Sequence, residues 1–171
     1  MVRYQFQNAK ILFIGINPHY GSYQRGVPFS NNKLFWYLLN RAGLIKENLK
    51  DLKDDSKLKI IYKSKFNKVY RLGLVNVINR PTRDITQLKR GEEKAGQMRI
   101  KKIVQAEKPE VVCFVGKVAY EKFSGLKKFD FGWQDDLAQS KVFVMHFPLH
   151  GKAEVRVREL EEAGRAAQLI K

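Results

Sequence analysis

The sequence predicts an α/β fold, a three-layer α/β/α sandwich with a central four-stranded parallel sheet. Three observations lead there. Four short runs are apolar at nearly every position rather than at alternate ones: Ile11-Leu12-Phe13-Ile14, Leu72-Gly73-Leu74-Val75, Val111-Val112-Cys113-Phe114-Val115 and Val142-Phe143-Val144-Met145. That is the pattern of strands buried on both faces. Stretches of helical periodicity lie between them, so the strands are joined by crossovers and run parallel. Hydrophobic residues are 44% of 171, which suits one domain with a core of its own, spanning 1–171. The chain has no internal repeat, linker or low-complexity segment.

The elements follow in order. The first strand covers roughly 10–15, and Asn17-Pro18 cannot continue it, so the chain turns there. A glycine-rich loop through Gly21 and Gly26 leads to Asn31-Asn32, N-cap residues for a helix over about 33–42. That helix places Leu34, Phe35, Leu38 and Leu39 on one face and stops at Gly43. Residues 46–68 are lysine-rich with mixed charges and read as a short helix and loop. The second strand runs over about 72–78 and is ended by Asn79-Arg80-Pro81; 82–94 is polar. A helix over about 95–107 leads through Lys108-Pro109 to the third strand, 111–115, and Gly116-Lys117 opens a helix to about 123. The fourth strand, 142–145, ends at His146. A charged helix over about 153–170 closes the chain with Leu160, Ala163, Ala167 and Ile170 inward.

Lys and Arg number 33 against 17 Asp and Glu, a formal charge of +16. Such a charge fits a polyanion partner, because each neutralised phosphate releases counterions; the alternative is a solvated basic surface. The one cysteine, Cys113, sits inside the third strand and reads as a small core residue. A lone cysteine excludes disulfide scaffolds, four-Cys iron–sulfur clusters and Cys-rich zinc sites. Met1 to Lys10 is polar, without the apolar core of a signal peptide, and no apolar run approaches transmembrane length. A soluble, cytoplasmic protein with no membrane partner is expected.

In open α/β sheets, ligands bind beyond the carboxyl ends of the strands. Three of those ends gather polar residues that burial does not require: Asn17, His19 and Tyr20 after the first, Asn76 within the second, and His146 with His150 after the fourth. Plainer roles stand beside each. Asn17 caps a turn, Asn76 satisfies a neighbouring backbone group, or the histidines are structural. Phe29, in the loop after Asn17, is either a stacking surface or a core ring. Phe114-Val115-Gly116-Lys117 begins like a phosphate loop, but the second glycine is absent and Val118 stands where Ser or Thr is needed. No Gly-x-Ser-x-Gly elbow, paired-His helix or zinc-deaminase signature is present, and no metal site is expected.

Taken together, several segments resemble the mismatch-specific uracil/thymine-DNA glycosylases, a branch of the uracil-DNA glycosylase superfamily. They are Ile11 to Gly15, Asn17-Pro18, the Gly26-Val27-Pro28-Phe29 loop, Phe35-Trp36, Gly73 to Asn79 with Arg80-Pro81-Thr82, and Lys108-Pro109 through Gly116-Lys117-Val118-Ala119-Tyr120-Glu121. The resemblance runs from about residue 10 to 150 and is weaker over 46–68 and beyond 150. It implies a four-stranded parallel sheet between helices. It also implies a monofunctional, monomeric DNA glycosylase without metal or cofactor. Such an enzyme flips uracil out of deaminated double-stranded DNA, from G:U mismatches, and hydrolyses the base–sugar bond in base excision repair. The alternatives are a preference for hypoxanthine or mismatched thymine, or a DNA-binding homologue without activity.

The resemblance further implies residue roles. Asn17 would position the attacking water and, beside Gly15 and Ile16, face the extruded base; Phe29 would stack on that base. Asn76 would read its edge, accepting from N3–H and donating to O4. His146 would donate to O2, with His150 as its rival. The branch carries glycine after the Asn-Pro pair where this chain has His19, whose ring would either exclude the thymine methyl or face solvent. The loop His146-Phe147-Pro148-Leu149-His150-Gly151-Lys152 departs from the branch's Asn-Pro-Ser-Gly type and is more similar to the His-Pro-Ser-Pro-Leu loop elsewhere in the superfamily. Leu149 would be the wedge filling the gap left by the base, with His150, Gly151, Lys152 and Arg156 on the DNA.

Overall fold

The computed structural model describes residues 1–171. The four apolar runs form parallel strands β1 (Ile11–Gly15), β2 (Leu72–Asn76), β3 (Val111–Val115) and β5 (Ser140–Met145), joined at one edge by the antiparallel β4 (Gly132–Leu137). The order across the sheet is β2-β1-β3-β5-β4. Because the four long-range strands point the same way, their carboxyl ends lie along one edge. The register sets Gly15 beside Asn76 and Val115 beside Met145 there.

Alternation along each strand divides the core in two. Ile11 and Phe13 face a layer made of α2 (Leu34–Arg41), α3 (Leu49–Lys53), α4 (Asp55–Ile61) and α7 (Ala153–Ala166), through Phe35, Trp36, Leu58 and Leu160. Leu12 and Ile14 face α5 (Lys94–Glu107) and α6 (Lys117–Ser124), through Ile100, Val104 and Phe123. The result is the expected α/β/α sandwich. Cys113 is a buried member of the first core, and burial pushes its thiol well above the ordinary range.

Four details differ from the sequence reading. The sheet has five strands, not four: β4, Gly-Trp-Gln-Asp-Asp-Leu, pairs on one side only and is partly exposed on both faces, so it carries no apolar run to announce it. Residues 46–68 are more than solvated helix and loop. They form α3, α4 and a π-turn at Tyr62–Phe66, and they bury Leu52, Leu58, Tyr62 and Phe66 behind an outer face of lysines. The glycine-rich loop contains a short helix α1 (Tyr20–Arg25), closed by Gly26 at φ +73°. The last helix stops at Ala166 rather than 170. The longer second strand expected from sequence has a physical counterpart, since Val77 and Ile78 still donate to the carbonyls of Gly15 and Ile16 past the end of β2.

Helix α5 crosses that β2 exit in direct backbone contact. A Cβ at Gly96 would lie 1.7 Å from the Val77 carbonyl oxygen. Gly96→Ala therefore has to push α5 off the strand, although alanine is the better helix former. It is expected to destabilise by about 1–3 kcal/mol, read as a lowered Tm by calorimetry; an unchanged or raised Tm contradicts this packing.

Candidate active site

The carboxyl edge of the sheet opens into a cleft of about 530 Å³. Asn17 reaches it at the turn after β1. Its Nδ2 donates to Thr82 Oγ1 (2.8 Å) and to the Arg80 carbonyl (3.0 Å), with the Pro18 carbonyl further off at 3.4 Å. Two of these partners are carbonyls, which only accept, so the amide nitrogen must face them. Both its hydrogens are used. Oδ1 has no protein donor and is the atom offered to the cleft. The partners are held in turn: the Thr82 hydroxyl donates to Asp84 O at 2.8 Å, and the Arg80 guanidinium pairs with Glu92 and donates to Gln87 O.

Gly15, Asn76 and Phe29 meet at one point. A Cβ on Gly15 would lie 2.4 Å from Asn76 Oδ1 and 3.4 Å from Phe29 Cζ. Glycine is what lets the Asn76 amide and the Phe29 ring share the end of β1. Asn76 is 4% exposed, lines the cleft, and donates from Nδ2 to Tyr4 Oη at 2.8 Å. Phe29 rests on Phe35, ring centroids 4.5 Å apart, and Phe35 stands edge-on to Phe13 of β1. The Phe29 backbone is at φ +53°, which bulky side chains rarely adopt. Its neighbours impose this: Ser22 Oγ accepts from the N–H groups of Ser30 and Asn31, and the Pro28 carbonyl accepts from Trp36 Nε1.

His146, after β5, forms the opposite wall. Its backbone N–H donates to Glu159 Oε1 at 3.0 Å, and its Nδ1 lies 3.0 Å from Oε2 of the same carboxylate. Phe131 covers one ring face at 3.5 Å and 17°, and Lys117 Nζ sits 4.6 Å from the Phe131 centroid on the cleft side of α6. With Nδ1–H donated to Glu159, a neutral ring presents a lone pair at Nε2. Only the doubly protonated ring donates there, with Glu159 supplying the opposite charge.

The other expected residues divide. Ile16 and His19 line the cleft, and His19 is also the N-cap of α1, its Nδ1 accepting from Gly21 N–H at 3.0 Å. In the neutral ring the proton is therefore on Nε2, and the ring stands at the cleft rather than in open solvent. Leu149 is half-exposed at the rim beside His150. Gly151, at φ +76°, and Lys152 are exposed outside the cleft lining. Arg156 departs from its expected place on DNA phosphates. It is 6% exposed and spends Nε and Nη2 on the carbonyls of Lys152 and Gly151, so it holds the 146–152 loop from beneath.

Sequence reading assigned no role to Tyr4, Thr82, Phe131 or Glu159. Thr82 lay within the Arg-Pro-Thr run, a signal that could have been used. The others come from remote segments with no local pattern. One carboxylate, Asp84, lines the cleft; its Oδ1 accepts from the Thr86 N–H and hydroxyl, and its Oδ2 has no protein donor. No group of three or more His, Cys, Asp or Glu is placed to hold a metal ion.

Two outcomes follow from this geometry. Gly15→Ala drives a methyl into Asn76 and Phe29 and is expected to cost about 1–3 kcal/mol of stability, measured as a lowered Tm by calorimetry; an unchanged Tm contradicts this packing. Arg80 holds Glu92 down to a pKa of about 2 from an ordinary 4.5. Its folded pKa is the depressed one, so the stabilisation is complete above the ordinary value and is lost as pH falls towards about 2. Protection from hydrogen exchange in the 80–92 loop should fall through that acid window in the native chain and fall less in Glu92→Gln, where only Asp84, also held low by its Thr86 hydrogen bonds, still titrates.

A family model described as the uracil DNA glycosylase superfamily matches residues 2–157.

Proposed function

The chain belongs to the uracil DNA glycosylase superfamily, and from that premise we propose that it excises uracil from deaminated DNA by hydrolysis, in the manner of the mismatch-specific branch. Family membership makes it a DNA glycosylase with DNA as substrate. The finer reading is carried by one observation: the Arg80 carbonyl, which can only accept, fixes the sense of the Asn17 amide, so that Oδ1 is the atom that faces the cleft.

An amide oxygen accepts a hydrogen bond from water but is a poor base, so the general-base contribution of roughly 10²–10⁴ is largely absent. The bond must break by stabilising what departs. C1′–N1 cleaves with its electron pair going to the uracil ring, leaving an oxocarbenium-like sugar; the water held at Oδ1 adds to C1′, and its proton is released. His146 Nε2, when the ring carries both protons, donates to O2 as charge gathers there. The base must leave the duplex to reach these groups, because its attachment is shielded within the stack. Phe29 supplies a platform worth about 1–3 kcal/mol per stacked base. Leu149, half-exposed at the rim, is the wedge that fills the vacated gap in this reading, as apolar wedges do. Exposed Lys117 and Lys152, on a chain of net charge +16, suit the flanking phosphates. His19, standing at the cleft, favours uracil over the bulkier thymine.

Duplexes carrying uracil, thymine or hypoxanthine opposite guanine or adenine, followed by alkaline strand scission, test this. Uracil is expected to be cleaved fastest. Asn17→Ala should lower excision by about 10²–10³, the cost of removing one group aimed at the transition state, while retaining duplex binding. Undiminished excision by that variant, or release of no base by the native chain, overturns the proposal.

A further inference from the structure

An asparagine can read a base only if its amide has a fixed sense, because half a turn exchanges donor and acceptor with almost no change in shape. At Asn76 the contact with Gly15 sets that sense, and the Tyr4 hydroxyl, which could meet either end of an amide, holds it by accepting from the end that remains. Tyr4, from the arm before β1, lies at the cleft and accepts from Asn76 Nδ2 at 2.8 Å. On the other side Oδ1 rests against the bare Cα of Gly15, where a Cβ would lie only 2.4 Å away. A glycine hydrogen in that place makes a weak C–H···O contact with the oxygen; an amide N–H turned towards it would meet hydrogen with hydrogen.

Tyr4 is itself held. Leu74 N–H donates to the Gln5 carbonyl at 2.7 Å, laying the arm along β2. Gln5 Nε2 donates to Tyr62 O, and the Tyr62 hydroxyl donates to Arg3 O at 2.6 Å. Burial pushes the Tyr4 phenol up to about 12, so it stays neutral at any working pH. Asn76 Oδ1, by contrast, has no protein donor and lies at the cleft.

We propose that Tyr4 is a positioning residue that determines base specificity: by engaging Asn76 Nδ2 it presents Oδ1 as an acceptor and admits bases with a ring N–H at that point. Resting on the reading of the cleft as a glycosylase site, this names the substrate class. Deamination converts a bare ring nitrogen into N–H, at N3 when cytosine becomes uracil and at N1 when adenine becomes hypoxanthine. An acceptor fixed by Tyr4 therefore recognises the chemical mark of deamination, and cytosine meets it lone pair to lone pair.

The test compares the full-length native chain with Tyr4→Phe on two duplexes, one carrying uracil and one carrying 3-deazauracil, in which C–H replaces N3–H. The intrinsic leaving abilities of the two bases cancel, because both proteins meet the same pair. The native chain is expected to favour uracil by about tenfold or more, and Tyr4→Phe to lose most of that ratio, since a site built around a polar contact discriminates strongly only while the contact is oriented. A ratio in Tyr4→Phe within about twofold of native, with both proteins active, overturns the role of Tyr4 alone. A native chain that excises no uracil overturns the glycosylase reading beneath it. Should the variant fold poorly, the Asn76 side-chain NH₂ resonances of the native protein decide: one proton protected from exchange supports the clamp, and both exchanging like an exposed asparagine overturns it.

Discussion

The carboxyl edge of the sheet depends on one side-chain amide. Asn17 belongs to the turn after β1, and its Nδ2 is bonded to the carbonyl of Arg80 and the hydroxyl of Thr82 in the turn after β2. The backbone repeats the link, with Thr82 N–H donating to the Pro18 carbonyl at 3.1 Å. Parallel strands need long crossovers, so their exits have no hairpin to fix them to each other. Here a polar side chain does what a hairpin does elsewhere. It also explains the residue type. A carboxylate at this position would bring negative charge against the carbonyl oxygens of Arg80 and Pro18 and leave that of Arg80 without its donor.

Around that bridge the chain accepts local strain and close approach where they bring polar groups together. Gly15 gives up a side chain so that an amide and an aromatic ring occupy its space, and Gly96 gives up another so that α5 lies on the β2 exit. Phe29 takes a left-handed backbone held by Ser22 and Trp36. Backbone strain of this kind persists where surrounding contacts over-determine it, and it concentrates at functional sites. The side of the cleft on β1 and β2 is thus set before any ligand arrives, which limits what reorganisation must cost on binding.

How much of this was legible follows from which interactions leave a mark on the sequence. Strands buried on both faces leave continuous apolar runs, so β1, β2, β3 and β5 were readable within a few residues. The half-exposed edge strand Gly132–Leu137 has neither run nor alternation. The buried rings of 46–68 were hidden because amphipathic helices this short show their period over barely two turns, amid lysines. At the site, Asn17, Asn76 and His146 stood out because each interrupts or follows an apolar run, and Phe29 because it is an aromatic ring in the loop after Asn17. Their supports did not. Tyr4 reaches Asn76 from the far end of the chain, Glu159 reaches His146 from the middle of α7, and Phe131 comes from the approach to an unforeseen strand. Arg156 was misplaced for a related reason: charge alone does not tell a surface cation from one capping carbonyls inside a loop.

The antiparallel edge strand has a consequence for how such a cleft can diversify. Phe131, which covers the His146 ring, is the residue immediately before β4, so one wall of the cleft belongs to a peripheral hairpin rather than to the parallel core. Segments of this kind tolerate insertion and exchange far better than the elements they adjoin. Lengthening or replacing the approach to β4 would reshape that wall while Asn17, Gly15 and Asn76 stay where the four parallel strands put them. The sheet separates the part of the cleft built on parallel strands from the part free to change, and that boundary runs between β5 and β4.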